Sequence, residues 1–249
     1  MKNNILEVKN LSKVYHSLSG EVNAIENFNL SVKEGEFISI IGTSGCGKST
    51  ILNILAGLDN DYNGTVDFKD NIKVGYMLQE DALFDFLNVL DNALIGLKIK
   101  HEVTIESINY VKSLLIKYGL KDFMYKKPTS LSGGMRQRVS LIRTLATKPD
   151  LLLLDEAFSK LDYVSRLKVT DDVYNIIKEE KKTTIIVTHD ISEAISISKR
   201  IIVLSKRPSK IKNIYEIKLT DKKNPIHNRK APEFASYYDI LWKDIDDDE

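Results

Sequence analysis

The sequence is poor in cysteine, the residue that builds disulfides and most structural zinc sites. Cys46 is the single cysteine among 249 residues. This excludes an internal disulfide and any metal site made of several cysteines. A lone cysteine fits a reducing compartment, and no structural zinc ion is expected.

The chain also lacks an excess of charge and a long apolar run. Lys and Arg total 36 against 35 Asp and Glu, so the net charge of +1 creates no global field for nucleic acid or acidic lipid. Apolar stretches such as Leu151 to Leu154 are far shorter than the ~20 residues that span a bilayer. The amino terminus, MKNNILEVKN, lacks the apolar run of a signal peptide. These features predict a chain that stays in the cytoplasm and does not cross a membrane alone.

Apolar patterns of strand and helix type alternate along much of the chain. A hydrophobic content of 43% is enough for one large domain, or for a core with a smaller subdomain. The alternation predicts an α/β fold with a mostly parallel sheet that is covered on both faces. The predicted strands are Glu36 to Ile41, Val74 to Leu78, Leu151 to Leu154, Thr183 to His189 and Ile201 to Leu204, and the predicted helices include Ser49 to Leu58 and Ile191 to Lys199.

The middle of the chain has few β-branched runs. Ile108, Val111 and Leu115 recur there at helical spacing before Gly119. This pattern predicts a helical subdomain over 81–148, inserted between two segments of the α/β core.

The remaining segments complete a single predicted domain. The core segments are 1–80 and 149–205, and the residues before Gly35 predict antiparallel strands with a hairpin at Gly20. Residues 206–249 form a C-terminal extension, whose acidic end from Asp244 to Glu249 is expected to fray.

A phosphate-binding loop lies between the first predicted core strand and its helix. Residues Gly42-Thr43-Ser44-Gly45-Cys46-Gly47-Lys48-Ser49 match the pattern GxxxxGK[ST] in the required strand-loop-helix context. Glycines let the backbone wrap closely, so that amide N–H groups and the helix amino terminus point at phosphates. Lys48 adds a positive charge and Ser49 a magnesium ligand.

Two carboxylates close the strand that ends at Leu154. Asp155 is positioned to hold magnesium directly or through water, as in other P-loop enzymes. Glu156, one residue further, is positioned as the base or orienting group for the attacking water. Without the phosphate-binding loop, the same pair could be a solvated strand end or a helix cap.

A third segment resembles the signature motif of the ABC ATPases. Its residues are Leu131-Ser132-Gly133-Gly134-Met135-Arg136-Gln137-Arg138. Read physically, Ser132 can cap a helix, and the two glycines allow backbone amides to approach an anion. The alternative is an ordinary Ser-Gly-Gly turn.

Further elements follow in the order of the ABC family, and the resemblance covers Ile5 to Leu204. Gln79 resembles the Q-loop glutamine, His189 the switch histidine, and Tyr15 the aromatic residue that stacks on adenine. Ser159 to Asp162 resembles the D-loop, where Lys160 replaces the usual small residue. Taken one at a time, such residues are more often packing, surface or hydrogen-bonding groups.

The resemblance implies a P-loop NTPase (RecA-like) core that binds ATP and Mg²⁺. Catalysis is assigned to Glu156, His189 and Lys48, and the metal to Ser49, Gln79 and Asp155. The implied nucleotide contacts are Tyr15, Gly42, Thr43, Ser44, Gly45, Cys46, Gly47, Lys48, Ser49, Thr50, Gln79, Ser132, Gly133, Gly134, Gln137 and Asp162.

The resemblance also implies partners. Two subunits would face each other head to tail in a homodimer, with each ATP between one P-loop and the other signature motif. Transmembrane permease subunits would dock on the dimer at the cytoplasmic face of the membrane, an extracytoplasmic solute-binding protein would act indirectly, and nucleic acid would have no part. The stretch from Asp81 to Leu87 would grip the permease, although Leu83, Phe84 and Phe86 could instead be core residues.

Some motifs resemble one branch of importers, those for nitrate, sulfonate and taurine. They are Gln79 to Leu83, Val89 to Asn92, Val187 to Ala194 and Val203 to Pro208. Relatives in that branch import bicarbonate or thiamine-precursor pyrimidines, and the solute would be chosen by other chains. Two rival readings remain, a soluble ABC ATPase that acts on ribosomes or nucleic acid and a P-loop kinase.

Overall fold

The computed structural model describes residues 4–17, 20–159 and 161–246, in which nine strands form two sheets. The strands are β1 Asn4–Ser17, β2 Gly20–Lys33, β3 Phe37–Ile41, β4 Asn63–Phe68, β5 Val74–Met77, β6 Leu151–Asp155, β7 Thr183–Val187, β8 Arg200–Leu204 and β9 Ile211–Glu216.

Eight α-helices and two short 3₁₀ helices complete the described part of the chain. The α-helices are α1 Lys48–Leu55, α2 Val89–Ile99, α3 Ile105–Lys117, α4 Gly133–Leu145, α5 Tyr163–Glu179, α6 Ile191–Ile197, α7 Pro225–Asn228 and α8 Phe234–Asp246, and the 3₁₀ helices are Lys121–Phe123 and Pro128–Ser130. No helix in these residues combines the length and apolarity of a membrane span.

The larger sheet has six strands in the order β5-β6-β7-β3-β8-β9. Its first five strands are parallel, and β9 joins β8 antiparallel. Every residue of β6 and β7 is buried, as expected for central strands with both faces covered. The parallel strands bring the ends of β3, β6 and β7 to one edge, where polar side chains collect.

Alternate residues of β6 enter separate cores on the two faces of this sheet. Leu152 and Leu154 pack in a cluster with α2, α3, α4 and α5. Leu151 and Leu153 pack in a second cluster with α1 and with the three-stranded antiparallel sheet β2-β1-β4. The β-sheet subdomain and the helices between β5 and β6 therefore lie on opposite faces of one central sheet, in agreement with the expected fold class.

Three sequence-based expectations about helix ends differ from the structure. Helix α6 ends at Ile197 rather than Lys199, because the backbone of Ser198 is already extended. The first core helix ends at Leu55 rather than Leu58, because Gly57 has a φ of +71° that a helix cannot accommodate. The acidic tail, which was expected to fray from Asp244, is helical as far as Asp246, and residues 247–249 lie outside the described residues. Within it, Asp244 accepts a hydrogen bond from Asn213 at 2.7 Å and another from the Tyr215 hydroxyl. These contacts hold α8 against β9.

Candidate functional site

The phosphate-binding loop connects β3 to α1 and has the backbone conformation that its glycines permit. Gly45 has a φ of +73° and Gly47 a φ of +118°, values that residues other than glycine rarely adopt. A Cβ at Gly42 would lie 3.1 Å from the backbone oxygen of Leu204. The end of β8 is therefore packed tightly against the start of the loop.

Lys48 begins α1 and folds back over the loop. Its Nζ donates to the backbone oxygens of Gly42 and Thr43, both at 2.9 Å. The side chain is buried, at 5% exposure. Cys46 is also buried, with its Sγ 3.9 Å from the Lys48 Nζ. The buried ammonium therefore lies within the cradle of amide groups that an anion would occupy.

Asp155 lies beneath the loop with two hydroxyl groups aimed at its carboxylate. Ser49 Oγ donates to Oδ1 at 3.1 Å, and the Tyr76 hydroxyl donates to Oδ2 at 3.2 Å. Burial raises the pKa of Asp155, and these two hydrogen bonds oppose the increase. A hydroxyl and a carboxylate side by side are oxygen donors of the kind Mg²⁺ prefers. The residues present therefore fit a magnesium site.

Glu156 lies between the side chains of Gln79 and His189. Gln79 Nε2 donates to Glu156 Oε2 at 3.1 Å, and His189 Nδ1 is 3.3 Å from the same oxygen. The three residues follow β5, β6 and β7, which are neighbours in the sheet. The sequence predicted each residue separately, and the parallel strands bring them together at the loop.

Tyr15 lies on β1 at the side of the loop and is 40% exposed. Its hydroxyl lies 3.3 Å from Thr50 Oγ1 and 3.4 Å from Asp59 Oδ2, within hydrogen-bonding distance of either oxygen. Lys13 Nζ is 4.8 Å from the centre of the ring. An exposed ring next to the phosphate-binding loop has the position that stacking on a base requires.

A cleft of about 380 Å³ gathers many of these side chains. Its lining includes the predicted residues Tyr15, Ser44, Gly45, Gly47, Lys48, Ser49, Thr50, Gln79 and Glu156. Gly42, Thr43 and His189 line an adjoining cavity together with Trp242 of α8. The P-loop half of the predicted site is therefore assembled within a single chain.

Other predicted residues lie outside that cleft. Ser132 caps α4 by accepting a hydrogen bond from the Met135 amide at 3.3 Å. Asp162 caps α5 by accepting from the Ser165 amide at 3.0 Å. Hydrogen bonds from the Ser165 side chain and from this amide lower the pKa of Asp162. Gly133 and Gly134 begin α4, and Gln137 is buried within it. Lys160 of the D-loop lies outside the described residues. Among the described residues, no member of the signature motif lines the P-loop cleft.

Two residues of the site were missed by the sequence analysis. Tyr76 lies in β5, where nothing in the pattern marks its hydroxyl as a partner of Asp155. Arg207 lines the cleft from the hairpin between β8 and β9. Arg207 belongs to the segment Val203 to Pro208, whose sequence indicates only the importer branch and not a position near the phosphate-binding loop.

The loop after Gln79 presents a pair of exposed aromatic rings. Phe84 is 42% exposed and Phe86 is 72% exposed, and their ring centres are 5.4 Å apart. Leu83 is buried. Of the three residues that could have belonged to the core, Leu83 does so, whereas Phe84 and Phe86 lie on the surface.

Comparison with known proteins places these features in a family. The model of the ABC transporter family matches residues 25–159. An uncharacterised ABC transporter ATP-binding protein of Bacillus subtilis, YtlC, is 41% identical over 96% of this chain and 95% of its own length. The aliphatic sulfonates import ATP-binding protein SsuB of Bacillus cereus is 39% identical, with 86% of each chain covered.

Solved structures agree with the sequence relatives. A dimeric post-hydrolysis structure of the ATP-binding cassette MJ0796, bound to ADP and Pi, has a TM-score of 0.71 and 32% identity, and covers 86% of this chain and 99% of that chain. The family and importer branch predicted from the motifs are confirmed by these matches. The chain belongs to the ABC transporter family and is one of its ATP-hydrolysing cassettes.

Proposed function

We propose that this protein binds Mg-ATP, dimerises head to tail and uses hydrolysis to drive uptake of a small solute through a separate permease. The observation that carries the proposal is the cleft itself. It joins a phosphate-binding loop to Glu156, while Ser132 and the glycines of the signature motif face elsewhere. A site of this kind is half complete, and a second subunit would supply the missing half.

Within the P-loop half of the site, each group of residues would have its own chemical task. The loop amides and Lys48 would hold the β- and γ-phosphates. Ser49, Asp155 and Gln79 would hold magnesium, which when bound neutralises phosphate charge. Glu156 would orient and deprotonate the attacking water, with His189 and Gln79 fixing its carboxylate.

The dimer would close on ATP and open after hydrolysis. The γ-phosphate would link Lys48 of one subunit to the amino terminus of α4 in the other, since an anion is stabilised at a helix amino terminus. Hydrolysis breaks that link, so the equilibrium shifts toward the open state. The post-hydrolysis structure of MJ0796 with ADP and Pi is dimeric, which supports the pairing of two such cassettes.

Transport would require contact with a membrane protein. Phe84 and Phe86 form an exposed apolar pair beside Gln79, in the position where the family grips its permease. The chain would then act as a peripheral protein at the cytoplasmic face of the membrane, with an extracytoplasmic binding protein delivering the solute. The SsuB relative favours a sulfonate-like solute, and nitrate-like, taurine-like or thiamine-precursor-like solutes belong to the same branch.

The partner is tested by purification from native membranes. A tagged chain, expressed in its own host, is extracted with mild detergent, and the proteins recovered in stoichiometric amount are identified. We expect a permease with several membrane spans. Recovery with ribosomes or nucleic acid and without a permease would instead establish a non-transport ABC ATPase.

A further inference from the structure

The hairpin between β8 and β9, residues 205–210, is fixed over the phosphate-binding loop. At its base, Ser205 N donates to Lys210 O at 2.9 Å, and Lys210 N donates to Ser205 Oγ at 3.0 Å. At its side, Ser209 N donates to Ala24 O and Glu26 N donates to Ser209 O, both at 3.0 Å. The hairpin is therefore anchored to β2 as well as to its own strands, and its tip has a defined position.

Arg207 projects from this tip onto the loop. A terminal nitrogen of its guanidinium lies 2.9 Å from the point that a Cβ at Gly45 would occupy. The side chain lines the P-loop cleft and also a neighbouring cavity formed by Thr43, Ser44 and Cys46. The guanidinium therefore lies beside the phosphate-binding loop, in the cleft that Tyr15 also lines.

No role in the fold accounts for this arginine. Arg207 is exposed and has no hydrogen-bond or ion-pair partner in the described part of the chain. By contrast, Lys210 in the same hairpin pairs with Glu26 at 3.1 Å. An unpaired arginine contributes little to stability from the surface. The packed hairpin nevertheless holds it against a loop that is built to bind an anion.

We propose that Arg207 binds the phosphate chain of the nucleotide held by its own subunit, as a second cation beside Lys48. This inference rests on the proposed nucleotide-binding function. A guanidinium presents a planar fork of donors that matches two phosphate oxygens. Residues 25–159 of the family match do not include it, so the contact belongs to the C-terminal extension of this chain.

The test compares nucleotide affinity among variants of the full chain. Calorimetric titration with Mg-ATP and Mg-ADP is carried out for the wild type, Arg207→Ala, Arg207→Gln and Arg207→Lys, at low and high salt. Lys210→Ala removes a cation from the same hairpin and is the matched control. Thermal unfolding of each variant establishes that it is folded.

We expect Arg207→Ala and Arg207→Gln to bind both nucleotides about tenfold or more weakly, the loss of one charge-assisted hydrogen bond. The affinity of these variants should also depend less on salt, because one phosphate contact is gone. Arg207→Lys should regain part of the affinity, and Lys210→Ala should match the wild type.

Equal affinity and equal salt dependence in the wild type and in folded Arg207→Gln would overturn the inference alone. If Arg207→Ala does not fold, Arg207→Gln and Arg207→Lys still decide, because both keep a long polar side chain. A folded wild type that binds no Mg-ATP would overturn the proposed function instead, so the two failures are distinguishable.

Discussion

Glu156 adopts a left-handed backbone conformation that residues other than glycine rarely take. Its φ is +41°, a strain of order 1–3 kcal/mol that persists only where surrounding contacts fix it. Its amide donates to Val187 O at 2.9 Å, and its carbonyl accepts from the Ser159 amide and hydroxyl at 3.1 and 3.0 Å. These bonds turn the side chain toward Gln79 and His189 instead of continuing β6.

Glu156→Gln separates binding from turnover. The amide has the shape of the carboxylate but cannot take a proton from water, so we expect ATP hydrolysis to fall about 100-fold or more. Mg-ATP should still bind, because Lys48 and the loop amides are intact. Phosphate release and calorimetric titration measure the two properties, and Lys48→Ala is the comparison that should lose binding. Wild-type turnover by Glu156→Gln would refute the assigned role.

Glu193 is a buried carboxyl whose protonation should make stability depend on pH. Burial raises its pKa to about 8 from an ordinary 4.5, the Thr188 hydrogen bond at 2.8 Å opposes the increase, and the charge of Asp190 adds to it. The folded state therefore holds the proton more tightly than the unfolded state. This contribution is complete below pH 4.5 and is lost as the pH rises toward 8.

We therefore expect Glu193→Gln to flatten the pH dependence of stability. Between pH 5 and 8, the wild type should lose up to about 1.4 kcal/mol per pH unit relative to the variant. Denaturant unfolding at several pH values measures the difference. The exposed Glu102→Gln should follow the wild-type curve. Parallel curves for the wild type and Glu193→Gln would show that Glu193 does not titrate in this range.

At the scale of elements, one asparagine shapes the loop that carries the exposed phenylalanines. Asn92 of α2 is fully buried. Its Oδ1 accepts from the Phe84 amide at 2.8 Å, and its Nδ2 donates to the carbonyls of Phe84, Leu87 and Asn88 at 3.0 to 3.3 Å. These four hydrogen bonds from one side chain fix the backbone at Phe84 and Leu87, on either side of Phe86, in a segment that has no β or α structure.

Phe84→Glu tests whether this loop contacts the permease. The ring is exposed, so the substitution should leave the melting temperature and the ATPase activity of the purified chain nearly unchanged. We expect loss of the permease from the purified complex, because a charge would have to be buried in the contact. Ile105→Glu is the matched control, since Ile105 is 80% exposed on α3. If the Phe84→Glu chain still copurified with the permease, this loop would be excluded as the permease-binding site.

Local sequence patterns predicted the strands, helices and motifs better than they predicted which of these lie next to one another. The loop at Gly42, the paired carboxylates at Asp155 and the apolar face of α3 follow from motif and periodicity. The position of Glu156 between Gln79 and His189 depends on the order of β5, β6 and β7 in the sheet. Neither that order nor the hydrogen bond from Tyr76 to Asp155 can be predicted from the spacing of residues. The position of Arg207 depends on the hairpin of β8 and β9 and on the hydrogen bond from Ser209 to Ala24, a residue far away in the sequence.

At the scale of the whole molecule, the phosphate-binding loop and the signature motif lie on two separate surfaces, which ATP would join in the proposed dimer. The P-loop follows β3, whereas the signature motif begins α4, within the helical cluster on one face of the sheet. A Cβ at Gly134 would lie 2.6 Å from Val169 Cγ2, so α4 is fixed against α5. The signature motif is thereby held rigidly outside its own cleft, where a second copy can reach it.

Ser132→Asp tests that second copy without disturbing the fold. Aspartate caps a helix as well as serine does, so the bond to the Met135 amide and the stability of α4 should be retained. The new negative charge would face the γ-phosphate of the opposite subunit, and like charges repel at this distance. In a Glu156→Gln background with Mg-ATP, light scattering should show a dimer for Ser132 and for the control Ser132→Thr, and a monomer for Ser132→Asp. All three should bind Mg-ATP in the cleft of their own chain. A Ser132→Asp chain that still dimerises on ATP would place the signature motif away from the nucleotide and refute the head-to-tail arrangement.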